Sequence, residues 1–283
     1  MNGSSGSPLR LALLGLALAC GSAPAAFVIE LNYLDIGAGG VNGSGISPAQ
    51  QALFEQAAAL WQGHITGYQP GISLGGLSID VSAPAIDGQF GITGAADVSS
   101  TVIQGGFVLG TVGYMQFDAA DLAWMQTMGL LDEVIAHEMA HVIGFGTLWA
   151  ANGVCTDGTG QYTGTAALAA YRIEFGQPAA AFVPVEQAGG PGVADDHWNE
   201  ADRGLALTGL RDPQGRDLRN ELMTGWVNSP TFVSQTTIQS FRDIGYTTTP
   251  FVPEPAPAPA LLALWLAGAA CRRRPRRPPP AFQ

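Results

Sequence analysis

The sequence predicts an α+β fold, because strand and helix signals alternate along its first half and its second half is largely irregular. Apolar alternation marks four strands, and apolar residues at helical spacing mark four helices. A chain of 283 residues with 47% hydrophobic composition is long enough to bury one substantial core. With 38 glycines and only 12% charged residues, we expect that core to be connected by many loops.

All four predicted strands lie before residue 118. In the first, apolar and polar side chains alternate from Ile29 onward. Glycines between the later strands supply the turns. The predicted strand ranges are 27–33, 77–81, 100–103 and 108–117.

The first predicted helix has the clearest start. Ser47 suits the N-cap, Pro48 suits the first helical position, and Gln50 completes a capping box. Leu53 and later apolar residues then recur at helical spacing. We therefore expect this helix to run to about residue 65.

Three further helices are predicted at 131–143, 166–175 and 234–244. The second of these lies inside a long glycine- and alanine-rich stretch that we expect to be irregular otherwise. Just before the helix at 131–143, Asp118 and Asp121 are predicted to cap a turn.

Both ends of the chain have the composition of targeting segments. Residues 1–25 combine Arg10, a short apolar run and a small-residue cleavage site, which predicts a secretory signal peptide. Residues 251–283 contain an apolar run followed by clustered arginines. At 1.5 Å per helical residue this run would span about 24 Å, a marginal membrane span whose arginines would stay cytoplasmic. The globular domain is therefore predicted at residues 26–250.

The charge of the predicted domain excludes one class of partner. Six of the 12 basic residues lie in the two terminal segments, whereas all but one of the 23 acidic residues lie within 26–250. Nucleic-acid binding requires clustered positive charge, which this domain lacks. Within the domain the only cysteine is Cys155, so we expect no internal disulfide.

The most informative motif is His137-Glu138-x-x-His141 in the predicted helix 131–143. Two histidines four residues apart project from the same helix face, so their imidazoles can share one metal ion. Glu138 lies beside that ion, where it can take a proton from a bound water molecule. Zinc suits this set because imidazole is a borderline ligand and zinc has no redox chemistry.

A catalytic zinc requires a third protein ligand and one open position. His197 is one candidate, and the carboxylates of Glu200 and Glu174 are rivals because both ligand types are usual at such sites. His64 ends the first helix and is more simply a structural residue. The residue chemistry alone leaves the choice between His197 and a carboxylate open.

The chain resembles the leishmanolysin-type metzincins between about residues 110 and 246. Most metzincins place the third histidine three residues beyond the glycine that follows the helical motif, where this chain has Thr147. Leishmanolysin-like members instead insert a long segment before it, as this chain does. The matching motifs are His137-Glu138-x-x-His141-x-x-Gly144, the distant His197-Trp198, and Glu221-Leu222-Met223-Thr224-Gly225.

This resemblance implies a zinc site and a two-lobed fold. The implied ligands are His137, His141 and His197, with Glu138 as the catalytic base and Met223 as the methionine of the turn beneath the metal. The implied fold has an upper lobe of mixed β-sheet plus two helices, an irregular lower lobe, and the active-site cleft between them. The chain departs from leishmanolysin itself in lacking its disulfides and its pro-segment with a blocking cysteine.

The C-terminal segment resembles a second family, the PEP-CTERM sorting tails. Val252-Pro253-Glu254-Pro255, one hydrophobic run and terminal arginines occur in the order typical of these tails. The resemblance implies processing by an exosortase in a Gram-negative bacterium. It also implies a precursor held transiently at the inner membrane, and export to the cell surface or extracellular matrix.

Together these patterns predict an exported zinc-dependent endopeptidase that acts on proteins or peptides. We expect the strand at 108–117 to bind substrate in extended form along its edge. One alternative is a non-catalytic envelope or biofilm matrix protein that keeps the same fold, and another is a zinc hydrolase acting on a non-peptide bond. The sequence leaves a structural calcium ion undecided.

Overall fold

The computed structural model describes residues 26–37, 39–90 and 94–251. The predicted signal peptide and all but the first residue of the predicted tail lie outside the described residues. The fold is mixed α+β, as the sequence predicts. Among the described residues, no helix is long and apolar enough to cross a membrane.

A four-stranded mixed sheet forms the N-terminal part of the fold. Its strands are β1 Ile29–Tyr33, β3 Leu77–Ser82, β4 Gly94–Gln104 and β5 Phe107–Phe117. Each of the four predicted strands corresponds to one of them. Their spatial order is β1-β3-β5-β4, in which β1, β3 and β5 run parallel and β4 runs antiparallel to β5.

The expectation that the strand at 108–117 provides a free edge is wrong. Strand β5 lies between β3 and β4, so both of its edges are already paired, and β4 is the outer strand. The turn at Gly105 and Gly106, both at positive φ, folds β4 back along β5 as a hairpin. The sequence predicts only 100–103 of β4, because its first half is rich in Gly, Ala, Asp and Ser, which have low strand propensity.

Helices α1 (Pro48–His64) and α3 (Leu131–Ile143) pack against each other beside the sheet. The predicted capping box of α1 is confirmed by reciprocal hydrogen bonds between Ser47 and Gln50. The indole N–H of Trp61 on α1 donates to the carbonyl of Ala136 on α3 at 2.9 Å. This bond fixes the two helices in register at the middle of α3.

Gly113 of β5 lets α3 lie close to the sheet. A Cβ at Gly113 would be 2.3 Å from Cγ1 of Val142 and 2.8 Å from the carbonyl oxygen of Asp97. Any larger residue would therefore push α3 away from β5 or β4 away from β5. The absence of a side chain at this position sets the distance between the helix and the strand pair.

The segment after β5 is a helix, α2 (Ala119–Met128), where the sequence predicts only a turn. The expected capping by Asp118 is confirmed, since one carboxylate oxygen accepts the N–H groups of Ala120 and Asp121. Its other oxygen accepts three N–H groups of residues 86–88. Bonds from Ile86 and its neighbours lower the pKa of Asp118 to about 2. The apolar residues of α2 are spread around the helix, so no periodic stripe reveals it.

The remainder of the chain is mostly irregular and is held by short elements. Helices α4 (Thr165–Glu174) and α5 (Gln235–Asp243) pack together, close to their predicted ranges. Asp243 accepts the N–H groups of Ala166 and Ala167 and so caps α4. The sequence does not predict four short strands, because each has only two to four residues. They are β2 Ile65–Tyr68, β6 Gln161–Tyr162, β7 Val183–Pro184 and β8 Tyr246–Thr248. Strand β2 pairs with β8, and β6 pairs with β7.

Candidate metal centre

Helix α3 presents two histidines on one face. His137 and His141 are one helical turn apart, and both are buried. The helix ends at Gly144, whose φ of 126° is outside the range that other residues readily adopt. The chain therefore leaves the helix sharply, directly after the second histidine.

The segment that carries His197 lies against this helix end. A Cβ at Gly146 would be 2.5 Å from the carbonyl oxygen of Asp196, so only glycine allows this approach. His197 itself is buried. The long insertion between residues 146 and 196 thus returns to the end of α3 instead of leading away from it.

The three imidazoles meet at their Nε2 atoms. The Nε2 atom of His197 lies 3.0 Å from that of His137 and 3.0 Å from that of His141, and the last two are 3.1 Å apart. Together they form a group that could hold a metal ion. Neither Glu200 nor Glu174 belongs to this group, and His64 packs its ring against Trp61 instead.

The other ring nitrogen of each histidine donates a hydrogen bond to a main-chain carbonyl. The Nδ1–H of His137 donates to Leu222 at 2.7 Å, that of His141 to Phe145 at 2.9 Å, and that of His197 to Val193 at 2.9 Å. Because a carbonyl can only accept, each neutral ring carries its proton on Nδ1 and exposes a lone pair at Nε2.

Three lone pairs pointing at one another repel unless a cation lies among them, so the donor set fits a metal ion. Burial lowers the pKa of His141 well below its ordinary value, and it lowers that of His197 to about 3. His197 and His137 add to the effect on His141, and His137 adds to that on His197. These two rings are therefore neutral near pH 7, as metal ligation by imidazole requires.

Glu138 lies beside the histidines in a cavity of about 450 Å³. The same cavity is lined by the start of β4 at residues 94–97, by Tyr114 and by Asp196. Burial raises the pKa of Glu138, and the nearby His137 opposes this effect. The cavity thus combines the three-histidine group, the partly exposed carboxyl group of Glu138 and the outer strand of the sheet.

Met223 is fully buried in a turn that contacts both sources of histidine. The carbonyl of Leu222, one residue earlier, accepts the bond from His137, and the carbonyl of Met223 accepts one from the N–H of Trp198. Glu221 anchors the turn, because its buried carboxyl group accepts the N–H groups of Met223 and Ser234. The turn therefore lies under the histidine group and joins α3 to the His197 segment.

The rival ligands of the sequence analysis have other roles. Glu174 accepts the N–H groups of Gln235 and Thr236 and so caps α5. Glu200 accepts the N–H of Gly225. Glu221 belongs to one of the matching motifs, but the sequence assigns it no role. The sequence does not reveal the three carbonyl acceptors, because a main-chain group has no signature in the residue type.

The family model described as leishmanolysin, peptidase family M8, matches residues 97–272, which is more than half of the chain. The matched range begins on β4 and contains α3, His197 and the Met223 turn. A comparison with curated proteins finds no match. The chain belongs to the leishmanolysin family of metallopeptidases.

Proposed function

We propose that this protein is an exported zinc-dependent endopeptidase. The observation that carries the proposal is the meeting of three buried imidazoles at their Nε2 atoms, in a cavity that also contains a glutamate. His137, His141 and His197 would hold the ion. Three nitrogen ligands are the usual protein share of a catalytic zinc site, which keeps one position open.

Glu138 is the general base of the proposed reaction. Zinc bound by the histidines would lower the pKa of a water molecule and polarise the carbonyl group of the scissile bond. Glu138 takes the proton from the attacking water and later donates it to the leaving amine. Burial raises the pKa of its carboxyl group above the ordinary value, which favours the step in which the group holds the proton and then donates it to the leaving amine.

We propose that the substrate binds along the outer strand β4. Its residues 94–97 line the cavity, and its outer edge is not paired with another described strand. An extended peptide can add to such an edge through main-chain hydrogen bonds, which are independent of side-chain identity. Protein or peptide substrates would then pass the histidine group in extended form.

Two lobes are proposed around this cavity. The sheet with its helices would form the upper lobe, and the irregular segments from residue 146 to the Met223 turn would form the lower lobe. The proposal is supported by the lining of the cavity, to which β4, α3 and residues 192–197 all contribute.

Export and sorting complete the proposal. The signal sequence at 1–25 would direct secretion, and the tail at 251–283 would hold the precursor at the inner membrane until an exosortase removes it. The product would reach the cell surface or matrix of a Gram-negative bacterium. Mass spectrometry of the secreted protein tests this, since we expect an N-terminus near Ala26 and loss of the hydrophobic run. A secreted product that keeps residues 256–271 would contradict the sorting step.

The activity is tested with Glu138→Gln and a matched control. Loss of the general base should lower casein hydrolysis by about 10²- to 10⁴-fold while zinc content stays at one ion per chain. Asp132→Asn alters an exposed carboxylate of the same helix and should keep both activity and zinc. Equal proteolysis by wild type and Glu138→Gln would contradict the proposed peptidase activity. The alternative of a non-catalytic envelope protein would then be favoured.

A further inference from the structure

The segment that carries His197 is bonded on both sides to neighbouring main chain. On one side, the N–H of Glu186 donates to the carbonyl of His197 at 2.9 Å, and the N–H of Asp195 donates to the carbonyl of Glu186 at 2.8 Å. On the other side, the N–H of Trp198 donates to the carbonyl of Met223 at 3.0 Å. The position of the His197 ring therefore depends on how three separate segments are held together.

Two buried carboxyl groups lie where these three segments meet. Glu186 is 5% exposed and Glu200 is 4% exposed, although both residues lie in irregular chain. A Cβ at Gly225, just after the Met223 turn, would be 3.6 Å from Cγ of Glu186 and 3.6 Å from Oε2 of Glu200. Each segment thus contributes one member to a compact junction: Glu186, Glu200 and Gly225.

Each carboxyl group bonds one segment of the junction. One oxygen of Glu186 accepts the N–H groups of Gln187 and Ala188 and so fixes its own turn. Oε2 of Glu200 accepts the N–H of Gly225 at 3.1 Å, which ties the His197 segment to the Met223 turn. The other oxygen of Glu200 is buried and has no further partner among the described residues.

The two carboxyl groups also interact with each other. Burial raises the pKa of Glu200 to about 7, and the neighbouring Glu186 contributes to the rise. A neutral Glu200 places no second negative charge beside Glu186 and still accepts the N–H of Gly225 at Oε2. One neutral and one charged carboxyl group are compatible with burial here, which two adjacent carboxylates would not be.

We propose that Glu200, together with Glu186, is a positioning residue that holds His197 against the two histidines of α3. The inference rests on the proposed zinc-peptidase function. Glu200 lies outside the three-histidine group and acts on the metal only through the segments it joins. Its removal should leave the bond between Trp198 and Met223 as the remaining hydrogen bond, among the described residues, between the His197 segment and the Met223 turn, and so loosen the position of His197.

The test measures zinc affinity of the purified protein by competition with a chromophoric chelator. Partners that orient metal ligands typically change affinity by about 10- to 100-fold, so Glu200→Ala should bind zinc at least about tenfold more weakly. Glu200→Gln should stay close to wild type, because the amide is neutral, has the same shape as the protonated carboxyl group, and keeps an oxygen that accepts from Gly225. The absorption spectrum of the cobalt-substituted protein should change in Glu200→Ala and not in Glu200→Gln.

Glu174→Ala provides the matched control. Glu174 is also buried, and its hydrogen bonds go to α5 alone. Its loss should lower the thermal stability of the metal-free protein without weakening zinc binding.

Three results would overturn the inference: wild-type zinc affinity in Glu200→Ala, an equal loss in Glu200→Gln, or an equal loss in Glu174→Ala. With zinc and activity intact in wild type, these results leave the peptidase function standing. A wild-type protein that binds no zinc would overturn both.

Discussion

The two sources of histidine in this protein differ in how their positions are determined. His137 and His141 are set by one regular helix, whose own geometry places them a turn apart. His197 comes from an irregular segment that takes its position from main-chain bonds to residues 186 and 223. The helical half of the centre is local in sequence, whereas the other half depends on contacts between distant segments. Substitutions near α3 and substitutions in the irregular segments should therefore affect zinc binding and stability to different extents.

The largest effect is expected from the histidines themselves. His197→Ala and His141→Ala should both abolish stoichiometric zinc binding, a greater loss than the roughly 100-fold that removal of an orienting partner causes. Metal analysis after dialysis measures this. If His197→Ala retains one zinc per chain while His141→Ala does not, a carboxylate would be the third ligand. His197 would then not be part of the metal centre.

Glu221→Ala should be the most destabilising change on the irregular side. Its carboxyl group accepts from the N–H groups of Met223 and Ser234 and from the hydroxyl of Thr237. Each buried donor left without an acceptor costs about 1–3 kcal/mol, so we expect a loss of roughly 2–4 kcal/mol after water enters in part. Urea unfolding of the metal-free protein measures the loss. A loss below about 1 kcal/mol would mean that the turn is held by other contacts.

On the helical side, Gly113→Ala should separate α3 from the sheet. The added Cβ would overlap Val142, and overpacking of this kind costs about 2–3 kcal/mol. Gly63→Ala is the matched control, since a Cβ there meets open space within α1 and should stabilise the helix by about 0.5–1 kcal/mol. Thermal unfolding measures both changes in stability, which should be a loss for Gly113→Ala and a gain for Gly63→Ala. Equal effects would show that the contact between β5 and Val142 does not set the position of α3.

A smaller effect is expected from the pH dependence of the metal-free protein. The pKa of Glu200 in the folded state is about 7, above its ordinary value of 4.5, so the unfolded chain ionises first as the pH rises. Wild type should therefore lose stability relative to Glu200→Gln between about pH 5 and pH 8, by roughly 1–2 kcal/mol. Urea unfolding of both proteins across this range checks the sign. A difference that does not change with pH would show that Glu200 is ionised throughout.

The sequence predicts the features that depend on local contacts better than those that depend on contacts between distant segments. The capping box at Ser47 and the bounds of α3 are local features, and the structure agrees with both. His137 and His141 are brought together as their spacing predicts. By contrast, residue chemistry alone does not decide between His197 and the rivals Glu200 and Glu174, and the family resemblance decides for His197.

The wrong expectations have the same physical origin. The order of strands in the sheet depends on which way the hairpin at Gly105–Gly106 folds, so the apolar pattern of β5 could not show that β4 covers its edge. The helix α2 lacks a periodic apolar stripe, so the sequence predicts only a turn at Asp118, where the structure has the N-cap of a helix. The junction of Glu186, Glu200 and Gly225 joins residues up to 39 positions apart, and nothing in their local sequence marks it.

The acceptors that orient the three imidazoles are supplied by the backbone at residues 145, 193 and 222. Every amino acid carries the same carbonyl group, so a substitution at these positions cannot delete the acceptor as it would delete an aspartate. Mutation of residues 145, 193 or 222 therefore leaves in place the carbonyl groups that orient the rings. A neutral acceptor also donates less electron density to the ring than a carboxylate would, which should leave a bound cation more electron-poor and a stronger Lewis acid.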